Sequence, residues 1–533
     1  MPISALCALA TLSSSALGAA STPLGYSTSA VPAAVADNFG AKCLDGSPPT
    51  YDVSLNKTSS QWVLFLEGGG WCYGATVAAA TASCASHGGA QWPPQSGDYD
   101  SSVVTAQVGG GADIGGLMSS DPAINPDFYT WNKVFLHYCD GSSFGGGRAD
   151  PIVVSRGGKP GDLWLRGRNN FDALVSHFST TLGMDNATDV ILSGGSAGGL
   201  AVFYNLDHFA TLLPPSVRLV GFPDAGFFMD VKGETSGEYD YRGLFQGADP
   251  VWNVTGSGGT NLKCLAANAG EKWKCLMAQY IAPHVETPIF VMNSDYDAWQ
   301  MEHVLGAQCI PTPTSACTGD QNASLRSFRD QFAAAITAGV TDGKPKNGVF
   351  LDSCYVHEQN VDYCSNQGMP NCVGWSPQSP GSKKWGYTTA VSGRTPQQAF
   401  GAWWKGEAVV LIDDHKFFDN PTCVYLGKPK PPKPPIPGSA CKPSGGCCDF
   451  SGTWHNTPGS PQPLQWHNFT QSNCSVTFPW SGCSGAMGTA SGDTLAVPCT
   501  RFYDGKLKGK LEPATPNDVL KWSNGAAWYR ASA

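Results

Sequence analysis

The stretch ILSGGSAGGLAVFY, residues 191–204, joins a short apolar run to a helical pattern through a glycine-rich turn. One hydroxyl, that of Ser196, stands there among five residues with little or no side chain. Gly-x-Ser-x-Gly between a strand and a helix is the nucleophile-elbow pattern, in which small neighbours leave the serine exposed at the head of a sheet. A phosphate-binding turn fits less well, because such turns usually add a lysine or a glycine spacing typical of the first strand–helix unit, and neither is clear here. We therefore predict a nucleophilic serine on an α/β sheet.

The chain around this stretch alternates short apolar runs with helical patterns, which favours a mostly parallel central sheet. The candidate strands are Trp62–Leu66, Val134–Tyr138, Asp189–Ser193, Val217–Phe222, Pro288–Asn293 and Val349–Leu351, and the candidate helices include Phe171–Leu182 and Gly199–Leu213.

A serine nucleophile needs an oxyanion hole and a base. Trp62–Leu66 runs into Glu67 and three glycines, and glycines past a strand end can turn their N–H groups toward a ligand, as in HGGG-type esterase loops. In this fold class the acid and then the histidine follow the serine, and His357 lies just after Val349–Leu351. The acid follows Pro288–Asn293, where spacing alone leaves both Asp295 and Asp297 open.

A composition break divides the chain. Residues 427–439, GKPKPPKPPIPGS, hold six prolines and three lysines, which predicts an extended spacer rather than a packed element. We predict a large domain over residues 19–426, a linker over 427–440 and a small all-β module over 441–533, closed by disulfides. Five tryptophans of this module could stack on sugar rings or form its core: Trp454, Trp466, Trp480, Trp522 and Trp528.

Composition and cysteine usage indicate an exported protein. The 533 residues carry a net charge of −9, which gives no support to nucleic-acid binding. Residues 1–18 read as a signal peptide, and no later run is apolar enough to span a membrane. Of 19 cysteines, twelve lie between Cys43 and Cys423 and six between Cys441 and Cys499, which predicts disulfides within each domain rather than metal ligands. Six Asn-x-Ser/Thr triplets also fit a secreted surface: Asn56, Asn186, Asn253, Asn322, Asn468 and Asn473.

Six collinear motifs together resemble the pectin acetylesterase and Notum carboxylesterase family, with details closer to the plant-type pectin acetylesterases. They are LEGGGWC (66–72), NPDFYTWNKVFLHYCDGSSFGG (125–146), LSGGSAGGL (192–200), PDAGFFMD (223–230), YDAWQ (296–300) and SCYVHE (353–358). The resemblance covers roughly residues 40 to 410 and leaves the C-terminal module outside.

The resemblance implies an α/β-hydrolase fold with a serine–aspartate–histidine triad. By residue it implies Ser196 as the nucleophile, Asp297 rather than Asp295 as the acid, and His357 as the base. It also implies an oxyanion hole formed by the backbone N–H groups of three residues, Gly69, Gly70 and Ala197.

These inferences predict a secreted, monomeric serine carboxylesterase that needs no cofactor or metal and removes O-acetyl groups from a pectin-like polysaccharide. One alternative keeps the chemistry but changes the acyl group, as in a Notum-like deacylase of lipid-modified proteins. A second alternative is an inactive hydrolase scaffold that binds glycans, which the intact Ser196, Asp297 and His357 disfavour.

Overall fold

A computed structural model describes residues 25–87, 114–156, 159–310, 317–361, 385–386, 388–416 and 419–423, together with the backbone of eight strands between residues 452 and 530. The predicted signal peptide, the proline-rich linker and the side chains of the C-terminal module lie outside the described residues.

Nine strands form one central sheet in the order β1-β2-β4-β3-β7-β8-β9-β10-β11, and β5 and β6 form a separate antiparallel hairpin. The strands are β1 Ser27–Ala30, β2 Thr50–Ser54, β3 Gln61–Leu66, β4 Asn132–Leu136, β5 Ile152–Arg156, β6 Lys159–Leu163, β7 Asp189–Gly195, β8 Arg218–Asp224, β9 Phe290–Ser294, β10 Gly348–Asp352 and β11 Val410–Ile412. Pairing is antiparallel between β1 and β2 and between β2 and β4, and parallel from β4 onward. The carboxyl ends of seven strands therefore meet at one edge.

Helices connect these strands. They are α1 Ala33–Phe39, α2 Val77–His87, α3 Gly167–Leu182, α4 Ala197–Leu212, α5 Asp240–Trp252, α6 Val254–Ser257, α7 Leu262–Ala267, α8 Ala278–Ile281, α9 Ala298–His303, α10 Gly319–Ile336 and α11 Pro396–Trp404. Single turns of 3₁₀ helix cover Gly116–Met118, Met184–Asn186, Lys272–Leu276 and Ala282–His284, and a π turn covers Thr337–Thr341. None of these helices combines the length and the apolar character needed to cross a bilayer.

The core lies on both faces of the sheet. On one face α4 packs on β7 and β8 and buries Leu200, Phe203 and Leu206. On the other face Phe400 of α11 stacks on Phe222 of β8 with ring centroids 4.2 Å apart. The predicted α/β-hydrolase class, a mostly parallel sheet covered by helices, is confirmed.

All six predicted strands exist, with small shifts at their ends. The prediction ended β7 at Ser193, whereas Gly194 and Gly195 continue the ladder beside Pro223 and Asp224 of β8. The helix after the elbow begins at Ala197 rather than Gly199, because the turn at Ser196 occupies one residue. The predicted Val134–Tyr138 begins two residues earlier as β4, since Asn132 and Lys133 already pair with β3.

Disulfides hold this domain together. Ten of the twelve cysteines between Cys43 and Cys423 pair with one another, and the remaining two, Cys364 and Cys372, lie outside the described residues. The pairs are Cys43–Cys139, Cys72–Cys84, Cys264–Cys275, Cys309–Cys317 and Cys354–Cys423.

Eight C-terminal strands pair sequentially and antiparallel, and the first closes on the last. They are β12 Gly452–Asn456, β13 Trp466–Ser472, β14 Ser475–Thr477, β15 Met487–Ser491, β16 Thr494–Pro498, β17 Lys506–Glu512, β18 Val519–Trp522 and β19 Ala527–Arg530. Because their side chains are outside the described residues, the disulfides and the role predicted for this region stay predictions.

Candidate active site

Ser196 occupies a sharp turn between β7 and α4. Its backbone has φ 53° and ψ −121°, a conformation that non-glycine residues rarely adopt and that marks functional turns. The two flanking positions have room only for glycine. A Cβ on Gly198 would lie 2.0 Å from the carbonyl oxygen of Leu66, and a Cβ on Gly194 would lie 2.4 Å from the carbonyl oxygen of Gly198. The small residues of the quoted stretch thus let this turn pack against the end of β3.

Three side chains from separate loops meet at the carboxyl edge of the sheet. His357 Nε2 lies 2.9 Å from Ser196 Oγ, and His357 Nδ1 lies 2.8 and 3.0 Å from the two carboxylate oxygens of Asp297. This geometry fits the tautomer in which Nδ1–H donates to Asp297 and Nε2 accepts the serine hydroxyl hydrogen. The arrangement can remove a proton from the serine as the serine attacks a carbonyl carbon.

Asp297 is completely buried and is oriented by two donors. Its carboxylate accepts hydrogen bonds from the backbone N–H of Gln300, at 3.0 Å, and from the side-chain amide of Asn293, at 3.2 Å. Burial by itself lowers the pKa of His357, but the Asp297 carboxylate, together with two further carboxylates nearby, outweighs burial, so the pKa of His357 lies above its ordinary value. The aspartate therefore stabilises the imidazolium form.

Asp295 is equally buried but points elsewhere. It pairs with Arg329, whose Nε lies 3.1 Å from its carboxylate. Burial raises the pKa of Asp295 well above the ordinary range, although Arg329 opposes the shift. Among the described residues, no hydrogen bond joins Asp295 to His357. The choice that spacing left open thus has a geometric answer: Asp297 contacts the histidine.

The glycines after β3 form a loop that begins next to the serine, since a Cβ on Gly68 would lie 3.0 Å from the Cβ of Ser196. Gly69 has φ 137° and Gly70 has φ 75°, values that only glycine adopts without strain. Tyr138 clamps this loop, because its hydroxyl donates to the carbonyl oxygen of Gly70, at 3.0 Å, and accepts from the N–H of Ser143, at 2.9 Å. Ala197 is the first residue of α4, so its N–H has no acceptor within the helix.

Two carboxyl groups lie behind the serine. Glu67 accepts the N–H of Tyr138 at 2.8 Å, and burial, with a contribution from the charge of Glu358, raises its pKa to about 7. Glu358 follows His357 with φ 60°. A Cβ on Gly195 would lie 2.4 Å from Glu358 Oε1, so the residue before the serine and the residue after the histidine are in direct contact.

The loop that carries His357 is anchored by the end of β8. The carboxylate of Asp224 accepts the backbone N–H groups of Gln359 and Asn360, both at 2.7 Å. The side chain of Gln359 in turn donates to Asp352 at 2.5 Å. These bonds fix the backbone immediately after His357.

Aromatic rings form one wall of the site. Phe228 and Trp299 lie 6.3 and 6.2 Å from the ring of His357, measured between centroids. Trp71 packs edge-to-face on both, at 4.8 Å from Phe228 and 5.6 Å from Trp299. Tyr241 and Phe245 of α5 complete this aromatic wall, and all five side chains are buried.

Within the described part of the chain, one acid–histidine group has atoms close enough to share a metal ion, Asp413 with Asp414 and His415. The Asp413 carboxylate already accepts hydrogen bonds from Ser353, Asn420 and His415. These hydrogen bonds explain why the three side chains lie close together, and none of the bonds involves Ser196.

The structure thus brings Ser196, His357 and Asp297 together, and Ala197 directly follows the serine at the start of α4. The part that Gly69 and Gly70 play in an oxyanion hole stays a prediction. Sequence reasoning did not identify the supporting groups Asn293, Gln300 and Asp224, although each lies in or next to a quoted motif or a predicted strand. Asn293 and Asp224 could have been predicted as supporting groups, because each is a polar side chain at the carboxyl end of a buried strand.

Comparison with known proteins agrees with this architecture. The profile of the family described as Pectinacetylesterase matches residues 25–424. Pectin acetylesterase 5 of Arabidopsis thaliana is 32% identical over 410 residues, which cover 74% of this chain and 84% of the relative. Palmitoleoyl-protein carboxylesterase NOTUM of Schmidtea mediterranea is 24% identical over 65% of this chain and 63% of its own. The crystal structure of the Wnt deacylase Notum from Drosophila superposes with a TM-score of 0.57 at 19% identity, covering 76% of this chain and all of that one.

Proposed function

The chain belongs to the pectinacetylesterase family of carboxylic ester hydrolases, and from this we propose that it is a secreted serine esterase that removes O-acetyl groups from a pectin-like polysaccharide. The observation that carries the proposal is the continuous contact from Ser196 through His357 to Asp297 at the carboxyl edge of the sheet.

The proposed reaction follows from this contact. His357 Nε2 takes the proton of Ser196 as its oxygen attacks the ester carbonyl, and Asp297 stabilises the imidazolium that forms. The N–H groups of Gly69, Gly70 and Ala197 receive the negative oxygen. The imidazolium returns its proton to the departing sugar hydroxyl, and water then hydrolyses the acyl-enzyme through the same base.

The aromatic wall supports a small acyl group. Trp71, Phe228 and Trp299 pack on one another next to His357, and each is at most 8% exposed. Rings in mutual contact leave little space between them, so we infer that a long acyl chain does not enter between these three rings. This packing favours acetyl esters over the long-chain esters that a lipid deacylase would hydrolyse. The packing could not be predicted from the sequence.

The paired cysteines support secretion, because disulfides persist in oxidising compartments. The polysaccharide substrate is supported by the family and by the Arabidopsis relatives named as pectin acetylesterases.

The test is a panel of esters. We expect acetate release from acetylated pectin, xylan or mannan, and from small aryl acetates, with a steep decline as the acyl chain lengthens. Ser196→Ala, which keeps the turn but removes the nucleophile, should lose several orders of magnitude in kcat. Retained turnover in Ser196→Ala would refute the serine mechanism, and faster hydrolysis of long-chain esters would favour the lipid deacylase.

The C-terminal region is proposed to target the enzyme to its substrate and to be dispensable for chemistry. A chain ending at Tyr425 should keep its kcat on a small soluble acetate and lose activity or retention on insoluble polysaccharide. Equal loss on both substrates would make the region part of the catalytic fold, and no loss on either would remove its targeting role.

A further inference from the structure

A group of aromatic and cationic side chains lies on the surface just outside the aromatic wall. We call it the rim cluster and define it as Lys232, Tyr239, Arg242, Trp273 and Tyr280. Its position is set by two connections to the site. Tyr239 and Arg242 flank Tyr241 of the wall at the start of α5, and Asp230, the partner of Arg242, lies two residues after Phe228.

Arg242 is held rigidly at the centre of the rim cluster. Its guanidinium lies 3.7 Å from the ring centroid of Tyr239 and 4.5 Å from that of Trp273. Its Nε and Nη2 donate to the buried carboxylate of Asp230, at 3.0 and 2.6 Å, and the Tyr280 hydroxyl donates to the same carboxylate at 2.7 Å. Nη1 makes no hydrogen bond to any of the described residues, so a fixed pair of N–H donors remains for a ligand.

The rim cluster faces solvent. Tyr239 is 36% exposed, the Arg242 side chain is 25% exposed, and Lys232 is exposed with Nζ 5.5 Å from the Tyr239 centroid. An exposed aromatic ring next to two cationic donor groups offers a ligand a face for stacking and N–H groups for hydrogen bonds.

The charges indicate which ligand fits. Asp230 is buried and neutralises Arg242, and Lys274 near Tyr280 pairs with Glu271. Lys232 lies near Tyr239, and the exposed Glu238 and Asp240 stand on either side of Tyr239 in the chain, so the net local charge is small and slightly negative. Long-range attraction of anions therefore contributes little. The cluster can therefore bind a ligand by ring stacking and by directed N–H donors. The apolar face of a pyranose suits the stacking, and its hydroxyl or carboxylate oxygens suit the donors.

We propose that the rim cluster is a subsite that binds a sugar of the polysaccharide chain flanking the esterified residue, by stacking on Tyr239 and by hydrogen bonds from Arg242 and Lys232. This inference rests on the proposed polysaccharide esterase function. Its consequence is selective: the subsite increases the affinity for a polymer but leaves the chemistry on an ester without flanking sugars unchanged.

The experiment compares Tyr239→Ala and Lys232→Ala with the wild type in the full chain. Both side chains are exposed, so the fold should tolerate their removal. Arg218→Ala is the matched control, because Arg218 also stacks on an aromatic ring, that of Trp404 at 3.7 Å, but at the amino end of β8, on the opposite edge of the sheet. The substrates are acetylated galacturonan, acetylated xylan and p-nitrophenyl acetate.

We expect the KM of the rim variants to rise about three- to tenfold on a polymer, with kcat/KM on p-nitrophenyl acetate within about twofold of the wild type. Loss on both polymers assigns the contact to sugar rings and hydroxyls, and loss on galacturonan alone assigns it to a uronate carboxylate. Polymer kinetics no different from those of Arg218→Ala would overturn the subsite. A wild type that hydrolyses p-nitrophenyl acetate but neither polymer would instead refute the polysaccharide substrate itself.

Discussion

Two aspartates two positions apart have different surroundings because the loop after β9 turns between them. Asp295 points toward Arg329 of α10, whereas Asp297 caps α9 by accepting the N–H of Gln300 and lies beside His357. A carboxylate that caps a helix has a fixed orientation, which is what a partner of a catalytic imidazole requires.

We predict that Asp297→Asn lowers kcat on a small acetate by about 10³- to 10⁴-fold, because an amide in this position favours the wrong histidine tautomer. Asp295→Asn is the control. Asp295 contacts Arg329 and makes no hydrogen bond to His357, so kcat on the same acetate should change little in a variant that circular dichroism shows to be folded. A large loss in Asp295→Asn with full activity in Asp297→Asn would transfer the acid role to Asp295.

The sequence predicted only some of the catalytic residues without ambiguity. Ser196 could be predicted from the sequence, because the glycines that surround it are a local pattern. Asp297 could not be separated from Asp295 by spacing, since the difference arises from Arg329 and His357, which are 34 and 60 positions away. Contacts over such separations follow from the sheet order and not from local pattern.

Loops rather than strands carry the reactive groups, and disulfides anchor several of these loops. Cys72 lies two residues after Gly70, Cys139 follows Tyr138, and Cys354 lies three residues before His357. A disulfide restricts the freedom of the loop it closes, which preserves the orientation of nearby catalytic groups.

We predict that the double change Cys354→Ser and Cys423→Ser lowers kcat on a small acetate by about tenfold or more, because the loop before His357 loses its covalent anchor. The matched control is Cys264→Ser with Cys275→Ser, which removes a disulfide between α7 and the turn after it. Both variants should be less stable, so activity is measured at a temperature where circular dichroism shows each to be folded. Equal kcat values in the two folded variants would show that the Cys354–Cys423 bond does not position the histidine.

The strands and helices of the sheet could be predicted because buried parallel strands read as short apolar runs. Their ends could not, as at β7, where Gly194 and Gly195 pair with β8 although glycine disfavours strands. Three strands of the sheet, β1, β2 and β11, were missed, since each is a short segment of three to five residues that shows little periodicity.

Across the whole domain, several buried carboxyl groups retain their protons to unusually high pH. Burial raises the pKa of Glu67 and of Asp352 to about 7, and that of Asp140 to about 6. All three lie near the carboxyl edge of the sheet: Glu67 directly follows β3, Asp352 ends β10 and Asp140 lies shortly after β4. In the unfolded chain such groups titrate near pH 4.

We therefore predict that the free energy of unfolding decreases as the pH rises from about 4 to about 7 and then levels off. In this window the folded protein binds more protons than the unfolded chain, so stability falls with pH by up to about 1.4 kcal/mol per pH unit for each such group. The raised pKa of His357 acts in the same direction, because its stabilising contribution is lost as the histidine deprotonates. Burial lowers the pKa of His177 and of His284, which act in the opposite direction but are fewer than the three buried carboxyl groups and His357 together. Urea unfolding at several pH values measures the trend, and Asp352→Asn, which cannot ionise, should flatten it while Asp414→Asn, an exposed carboxyl, should not. A free energy of unfolding that increases from pH 5 to pH 7 in the wild type would contradict the proton retention of these buried groups.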